Sequence, residues 1–254
     1  MKGVLQIRPV TGIGEVAEDH DLGALIGNAT AGLGTPLRAG EVVVVSQKVV
    51  SKAEGRLVDL GTVEPGAHAK GLAGELGKDP RLVQLVLDES TRVVRADRGV
   101  LIVETHHGWV CASAGIDASN VVGDDVVALL PLDADESARR IRSELREATG
   151  VAPAVIVADS FGRPWRLGQT DVAIGCAGLV PLDDWSGRSD REGRELAATA
   201  PAVADEAASA ADLARQKDAG VPAAVITGLE RYRTEEDGPG AATLRRDETE
   251  DLFR

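Results

Sequence analysis

Aromatic side chains are scarce in this sequence, with three Trp, two Phe and one Tyr among 254 residues. The core must therefore be built from Val, Leu, Ile and Ala. Cysteine is nearly absent too. Cys111 and Cys176 stand far apart, with no C-x-x-C and no Cys/His cluster, which excludes a disulfide scaffold and a zinc or iron–sulfur site of the usual spacing. No apolar run approaches membrane-spanning length, and the N-terminal MKGVLQIRPVTGIGEV has no apolar stretch followed by a small-residue cleavage site. A cytoplasmic protein without membrane association is the expectation. Positive charge is in deficit, with 28 Lys and Arg against 41 Asp and Glu and a formal net charge of −13. Nucleic acid, which is gripped through clustered basic side chains, is not an expected partner.

Familiar catalytic loops are missing as well. There is no G-x-x-x-x-G-K-[ST], and neither Gly12-Ile-Gly14 nor Gly32-Leu-Gly34 completes G-x-G-x-x-G. G-x-S-x-G and H-E-x-x-H are also absent. The four histidines show no ligand spacing.

What is present is an alternation of β-branched apolar runs with longer helical patterns, which predicts an α+β, or mixed α/β, protein with a partly antiparallel sheet. Strands are expected over 4–10, 41–52, 92–96, 100–104, 109–114, 154–159, 171–177 and 223–227. His106-His107-Gly108 reads as a hairpin turn. The clearest helix follows Asp133, which can cap it with Glu136 three residues on; Ala138, Ile141, Leu145 and Ala148 share one face, and Gly150 ends it. Further helices are expected over 22–33, 67–76, 81–88 and 202–217. Residues 181–194 read as a long surface loop, and 231–254 as a mostly solvated tail that Leu252-Phe253 could anchor.

Three segments carry chemistry. In GEVVVVSQKVVSKAEG a buried strand runs into Ser46, Gln47, Lys48, Ser51 and Lys52, so a lysine can meet an anion at the strand end; ordinary solvated charge is the alternative. In Ser113-Ala-Gly-Ile-Asp117-Ala-Ser-Asn120, oxygen ligands in a turn of small residues suit a hard cation, or else form a plain Asp turn. In AVIVADSFGRPWRLGQTDVAIG a strand delivers Asp159 and Ser160 at its C-terminal end, followed by Gly162, Arg163, Trp165, Arg166, Gln169, Thr170 and Asp171. A solvated loop with Arg166 paired to Asp171 is the bland reading. Asp117 and Asp159 on separate segments could instead share one divalent ion, an arrangement suited to phosphate chemistry.

Together these segments resemble the coenzyme F-420-0:L-glutamate ligase family of γ-glutamyl ligases. The resemblance runs through RPVTGIGEV, GEVVVVSQKVVSKAEGR, AGIDASNV, ALLPLDAD, ADSFGRPWRLGQTDVAIGCAGL, VADEAASAADL, GVPAAVITG and EDLFR, in order and over nearly the whole chain. It implies one ligase domain over 1–254 with a family-specific fold, and two subdomains remain open. The flavin reductase-like domain that follows in actinobacterial members is not expected. The resemblance also implies an intertwined homodimer. The implied activity is GTP-dependent ligation of L-glutamate to coenzyme F-420-0, with two divalent ions, Mg²⁺ or Mn²⁺, per site and K⁺ as a further candidate.

Carried over by position, Ile13, Gly14, Glu15, Val16, Gln47, Lys52 and Asn120 would contact the nucleotide. Asp117 and Asp159 would hold one cation and Ser160 a second. The later nucleotide segment falls near 214–221, where Gln216 or Lys217 would complete the second cation site. A protonated lysine cannot ligate a cation, which leaves Gln216 as the candidate for both roles. The family's first nucleotide segment commonly reads Leu-Pro-x-[Ile/Phe], against Ile13-Gly14-Glu15-Val16 here. Lys52 is expected to act in catalysis, and Arg163 and Arg166 are expected to orient a carboxylate substrate through paired N–H groups. Without the family, the same residues fit a metal-dependent nucleotide phosphohydrolase or a nucleotide-sensing protein.

Overall fold

A computed structural model describes residues 3–118, 123, 125–216 and 219–251. In chain order the elements are β1 (Gln6–Val10), α1 (Leu22–Gly32), β2 (Val42–Ser46), α2 (Gln47–Ala53), β3 (Leu57–Asp59), α3 (Ala67–Leu76) and α4 (Pro80–Asp88). They continue with β4 (Ser90–Asp97), β5 (Val100–Thr105), β6 (Val110–Ala112), β7 (Val126–Ala128) and α5 (Ala134–Thr149). The last are β8 (Ala154–Arg163), β9 (Arg166–Ala177), α6 (Val203–Arg215) and β10 (Ala223–Thr227).

The protein is a mixed α+β structure. Its main sheet has five strands in the order β1-β10-β2-β8-β9. Only β2 and β8 run parallel; the other neighbours are antiparallel. The all-valine run of β2 lies at the sheet's centre and is covered on both faces, as an unbroken apolar strand requires. Val43 and Val45 join Val155 and Val157 against Leu22, Ile26, Ile141 and Leu145 of α1 and α5. Val42 and Val44 join Ile156 and Ile226 on the opposite face, under Ala204, Ala207, Ala208 and Ala211 of α6. The alanine stripe lets α6 lie close to the sheet, and α1 approaches α5 closely at Gly23, where an added Cβ would lie 2.3 Å from Glu144 Cβ. Cysteine and aromatic side chains contribute little to either layer.

A second packing unit sits beside this one. The antiparallel sheet β4-β5-β6 is covered by α3 and α4 through Ala69, Ala73, Leu76, Val83, Val86, Leu101 and Val103. The pair β3-β7 closes a smaller cluster of Leu60, Leu85, Val127 and Leu129. As expected, β5 and β6 form a hairpin across residues 106–108, and Asp133 caps α5 by accepting from the Glu136 amide while Gly150 ends it in a left-handed conformation.

Two expectations need correction and one needs refining. Residues 47–52 do not continue the strand; they form α2. Ser46, still paired with Ala158, is the last extended residue, and burial then recurs at Gln47, Val50 and Ser51, a helical spacing. Residues 160–170 are not a loop but the outer half of a long β8–β9 hairpin, with Ser160 opposite Asp171 and Gly162 opposite Gln169. Backbone pairing carries this ladder beyond its apolar stretch and leaves Trp165 and Leu167 exposed at its tip. The tail, exposed over much of its length as expected, is already fastened well before Leu252-Phe253. Leu179 bridges Arg233, the Gly178 amide donates to Asp237 O at 2.7 Å, and the Asp135 carboxylate accepts from the amides of Ala241 and Ala242. Leu252 and Phe253 lie outside the described residues.

Candidate functional site

A cavity of about 370 Å³ opens where the parallel pairing of β2 and β8 stops, at the C-terminal end of β2 and midway along β8. Strand-end crevices of this kind are where α/β sheets gather ligands, because the following turns fan apart there. Its lining includes Gly14, Glu15 and Val16 after β1, Gln47, Lys48 and Lys52 on α2, Asp117, Asp159 and Ser160 on β8, Asp171 on β9, and Asp212, Arg215 and Gln216 at the end of α6. Most of the residues expected to form a site are thus brought together. Three are not. Ile13 is buried in the core beneath α1 and lines a separate shallow depression, while Arg163 and Arg166 are exposed at the hairpin tip and take no part in the cavity lining. Asn120 and Lys217 lie outside the described residues.

Strand alternation explains how β8 serves the cavity. Val155, Val157 and Phe161 pack on the α1–α5 side, so Asp159 belongs to that face; Ala154, Ile156 and Ala158 pack on the α6 side, so Ser160 belongs to the other. Ser160 Oγ donates to Asp171 Oδ1 at 2.6 Å, and Arg215 pairs with Asp171 Oδ2. Both members of that ion pair are buried, and Ser209 Oγ ties the Asp171 carbonyl down at 2.8 Å. Asp171 is therefore committed to Arg215, not to Arg166. Arg215 Nε is buried and has no hydrogen-bond partner among the described residues.

Asp117 is delivered by a strained turn. Ser113, Ala114 and Gly115 all have positive φ, a conformation that costs residues bearing a Cβ roughly 1–2 kcal/mol each. The Asp117 backbone then bridges Ala128 in both directions, and its carboxylate meets Lys48 Nζ at 2.8 Å. Lys52, one turn further along α2, meets Glu15 Oε1 at 2.5 Å. Gln47 lines the cavity, but its amide nitrogen donates to Ser51 Oγ and to Leu129 O, which fastens α2 to the chain before α5. Gln216 leaves α6 at φ +58°, a second strained position on the rim. Burial, and after it the Asp159 carboxylate, push the Cys111 thiol up to about 12, so it is no nucleophile at neutral pH.

Electrostatically the cavity carries five acidic side chains, Glu15, Asp117, Asp159, Asp171 and Asp212, against Lys48, Lys52 and Arg215. Among the described residues no three of His, Cys, Asp and Glu make a ready ligand cluster. A hard cation that keeps waters and takes one or two carboxylates plus a substrate phosphate needs no such cluster. Asp117, Asp159 and the Ser160 hydroxyl are oxygen donors of that kind, so the donor chemistry fits.

Residues 12–228 match the family model described as F420-0:Gamma-glutamyl ligase. The chain belongs to this family. The coenzyme F420:L-glutamate ligase of Methanothermobacter thermautotrophicus is 43% identical over 246 residues, covering 96% of this chain and 97% of that protein. The protein of the same name from Methanopyrus kandleri is 42% identical over 252 residues, 98% of each chain. That from Methanocaldococcus jannaschii is 40% identical over 220 residues, 86% of each. Arg215 falls within the later nucleotide segment, 214–221, expected from the sequence, but neither its pairing with Asp171 nor a place for Asp212 in the site was foreseen; the i, i+3 spacing of Asp212 and Arg215 was the only local signal.

Proposed function

We propose that this protein is a GTP-dependent ligase that joins L-glutamate to coenzyme F-420-0 through an amide bond; further glutamates, each joined through the γ-carboxylate of the last as a γ-glutamyl bond, are an open extension of the same chemistry. Family membership and the printed names of the relatives support the glutamate and coenzyme specificity. The observation that carries the GTP-dependent chemistry is the single cavity that unites two carboxylates from separate segments, Asp117 and Asp159, with two lysines one helical turn apart.

A carboxylate is a poor acyl donor because oxide is a poor leaving group. In the proposed reaction a carboxylate oxygen of the coenzyme attacks the γ-phosphorus of GTP, the bond to the bridging oxygen breaks, and GDP leaves. The resulting acyl phosphate is attacked by the α-amine of glutamate, which loses a proton as phosphate departs. When bound, divalent cations, Mg²⁺ or Mn²⁺ and two per site, neutralise the triphosphate. Asp117 and Asp159 would hold one, and Ser160 with Gln216 the other; K⁺ is a further candidate. Lys52 adds a fixed positive charge at the phosphates, with Gly14, Glu15, Val16 and Gln47 around the nucleotide. The reading also takes the protein to be cytoplasmic and a homodimer. Among the described residues no helix is long and apolar enough to cross a membrane. Trp165 and Leu167, 80% and 99% exposed, make the hairpin tip the surface offered to a second copy, with Arg163 and Arg166 beside them.

The test is phosphate release from GTP and Mg²⁺ with glutamate and the coenzyme supplied singly and together. A ligase releases phosphate only with both. Release without them makes the protein a phosphohydrolase, and binding without release makes it a sensor.

A further inference from the structure

Lys48 is the second lysine of the cavity, and unlike Lys52 it has been given no step of its own in the reaction. Helical spacing puts it on the same face of α2 as Lys52, since residues four apart lie one above the other. Its side chain is only 16% exposed, and Nζ is 2.8 Å from Asp117 Oδ2. The ammonium thus occupies a carboxylate oxygen that a divalent cation would need. We propose that Lys48 is a phosphate-binding residue that Asp117 holds until a divalent cation takes over the carboxylate. The inference rests on reading Asp117 as a cation ligand.

The exchange follows from charge. A lysine and a divalent ion cannot share one carboxylate oxygen closely, because like charges a few ångströms apart in a half-buried site repel strongly. The doubly charged ion is the stronger partner at that oxygen. Displaced, Lys48 keeps its charge, its flexible four-carbon stem and three donors, and the anion within reach in the same cavity is the triphosphate. The cation therefore acts on the nucleotide twice, by direct contact and by releasing Lys48.

Removing Lys48 should then move the two ligands in opposite directions, which a merely structural role would not do. In Lys48→Met, Mn²⁺ titrated alone, followed by the spin-resonance signal of the free ion, should bind about two- to fivefold tighter, the scale of one lost competing ion pair. GTP titrated calorimetrically in saturating Mn²⁺ should bind at least about tenfold weaker, the scale of a lost charge-assisted hydrogen bond. Lys48→Gln serves as the second variant should the methionine form not fold. Asp117→Asn separates the two layers of the argument. If it leaves Mn²⁺ affinity unchanged, the cation reading fails. If it weakens Mn²⁺ binding while the Lys48 variants bind Mn²⁺ no tighter, or bind GTP as well as the parent does, the role of Lys48 is overturned and the cation reading stands.

Discussion

Asp159 and Ser160 are neighbours in sequence that serve opposite faces of one strand, so each can act on its own side of the cavity. If Asp159 and Asp117 share a cation at the phosphates, Asp159→Asn should lower turnover by more than about tenfold at saturating Mg²⁺ with the far-UV spectrum and unfolding midpoint unchanged, because loss of one charged ligand removes over about 1.4 kcal/mol of transition-state stabilisation. Asp117→Asn should behave alike, and steady-state kinetics of the two decide whether one ion is shared. Glu41, 3% exposed, offers a test at the same scale away from chemistry. Burial opposes its ionisation, but hydrogen bonds from Arg8 and the Arg38 amide outweigh this and hold its carboxyl below the ordinary 4.5. A depressed folded value means stabilisation that is fully present above that ordinary value and lost as pH falls through the lower, folded one. In Glu41→Gln the urea midpoint should drop at pH 7 by the equivalent of about 1–3 kcal/mol, and its acid dependence below about pH 4.5 should flatten.

At the level of elements, one close contact sets how α5 lies on β9. A Cβ at Gly175 would fall 2.0 Å from the Ala134 carbonyl oxygen, a backbone atom that cannot swing aside. Gly175→Ala should therefore cost at least about 3 kcal/mol by denaturant unfolding, whereas Gly162→Ala on the neighbouring strand, with nothing within 4 Å, should stay within about 0.5 kcal/mol. The elements also show what a sequence discloses. Helix α5 was legible because its Asp133 cap and spaced apolar face act locally, and β2 because an all-valine run has few homes. The helix at 47–53 was hidden, since Val49-Val50 prolongs a β-branched run and the break at Ser46 has no composition of its own. The outer hairpin was hidden for the opposite reason: it is held by backbone pairing while its side chains resemble those of a loop. In the site, the carboxylates and lysines could be singled out from residue type beside apolar strands, and the family resemblance then implied their roles. The Asp171–Arg215 pair could not, because it joins β9 to the end of α6 only after both have packed on the sheet.

Across the whole molecule the acidic excess bears on binding. With net charge −13 and a cavity richer in acid than in base, a triphosphate is repelled at long range and must be held by local cations. Calorimetric titration of GTP should show affinity in Mg²⁺ that nearly vanishes in chelator; tight binding without metal would refute the electrostatic argument. Titration of ATP beside GTP reports base preference separately, since lysine and cation read only phosphate. The main sheet carries one more consequence, for the order in which the protein is made. Strand β1 pairs with β10, Gln6 opposite Thr227, and β10 is also the strand that joins β1 to β2. A ribosome must therefore release every element through β10 before β1 finds its neighbour. Until then β1 and one edge of β2 are unpaired, and a nascent chain halted after β9 should be cut by protease at the β2 run that the finished sheet buries completely.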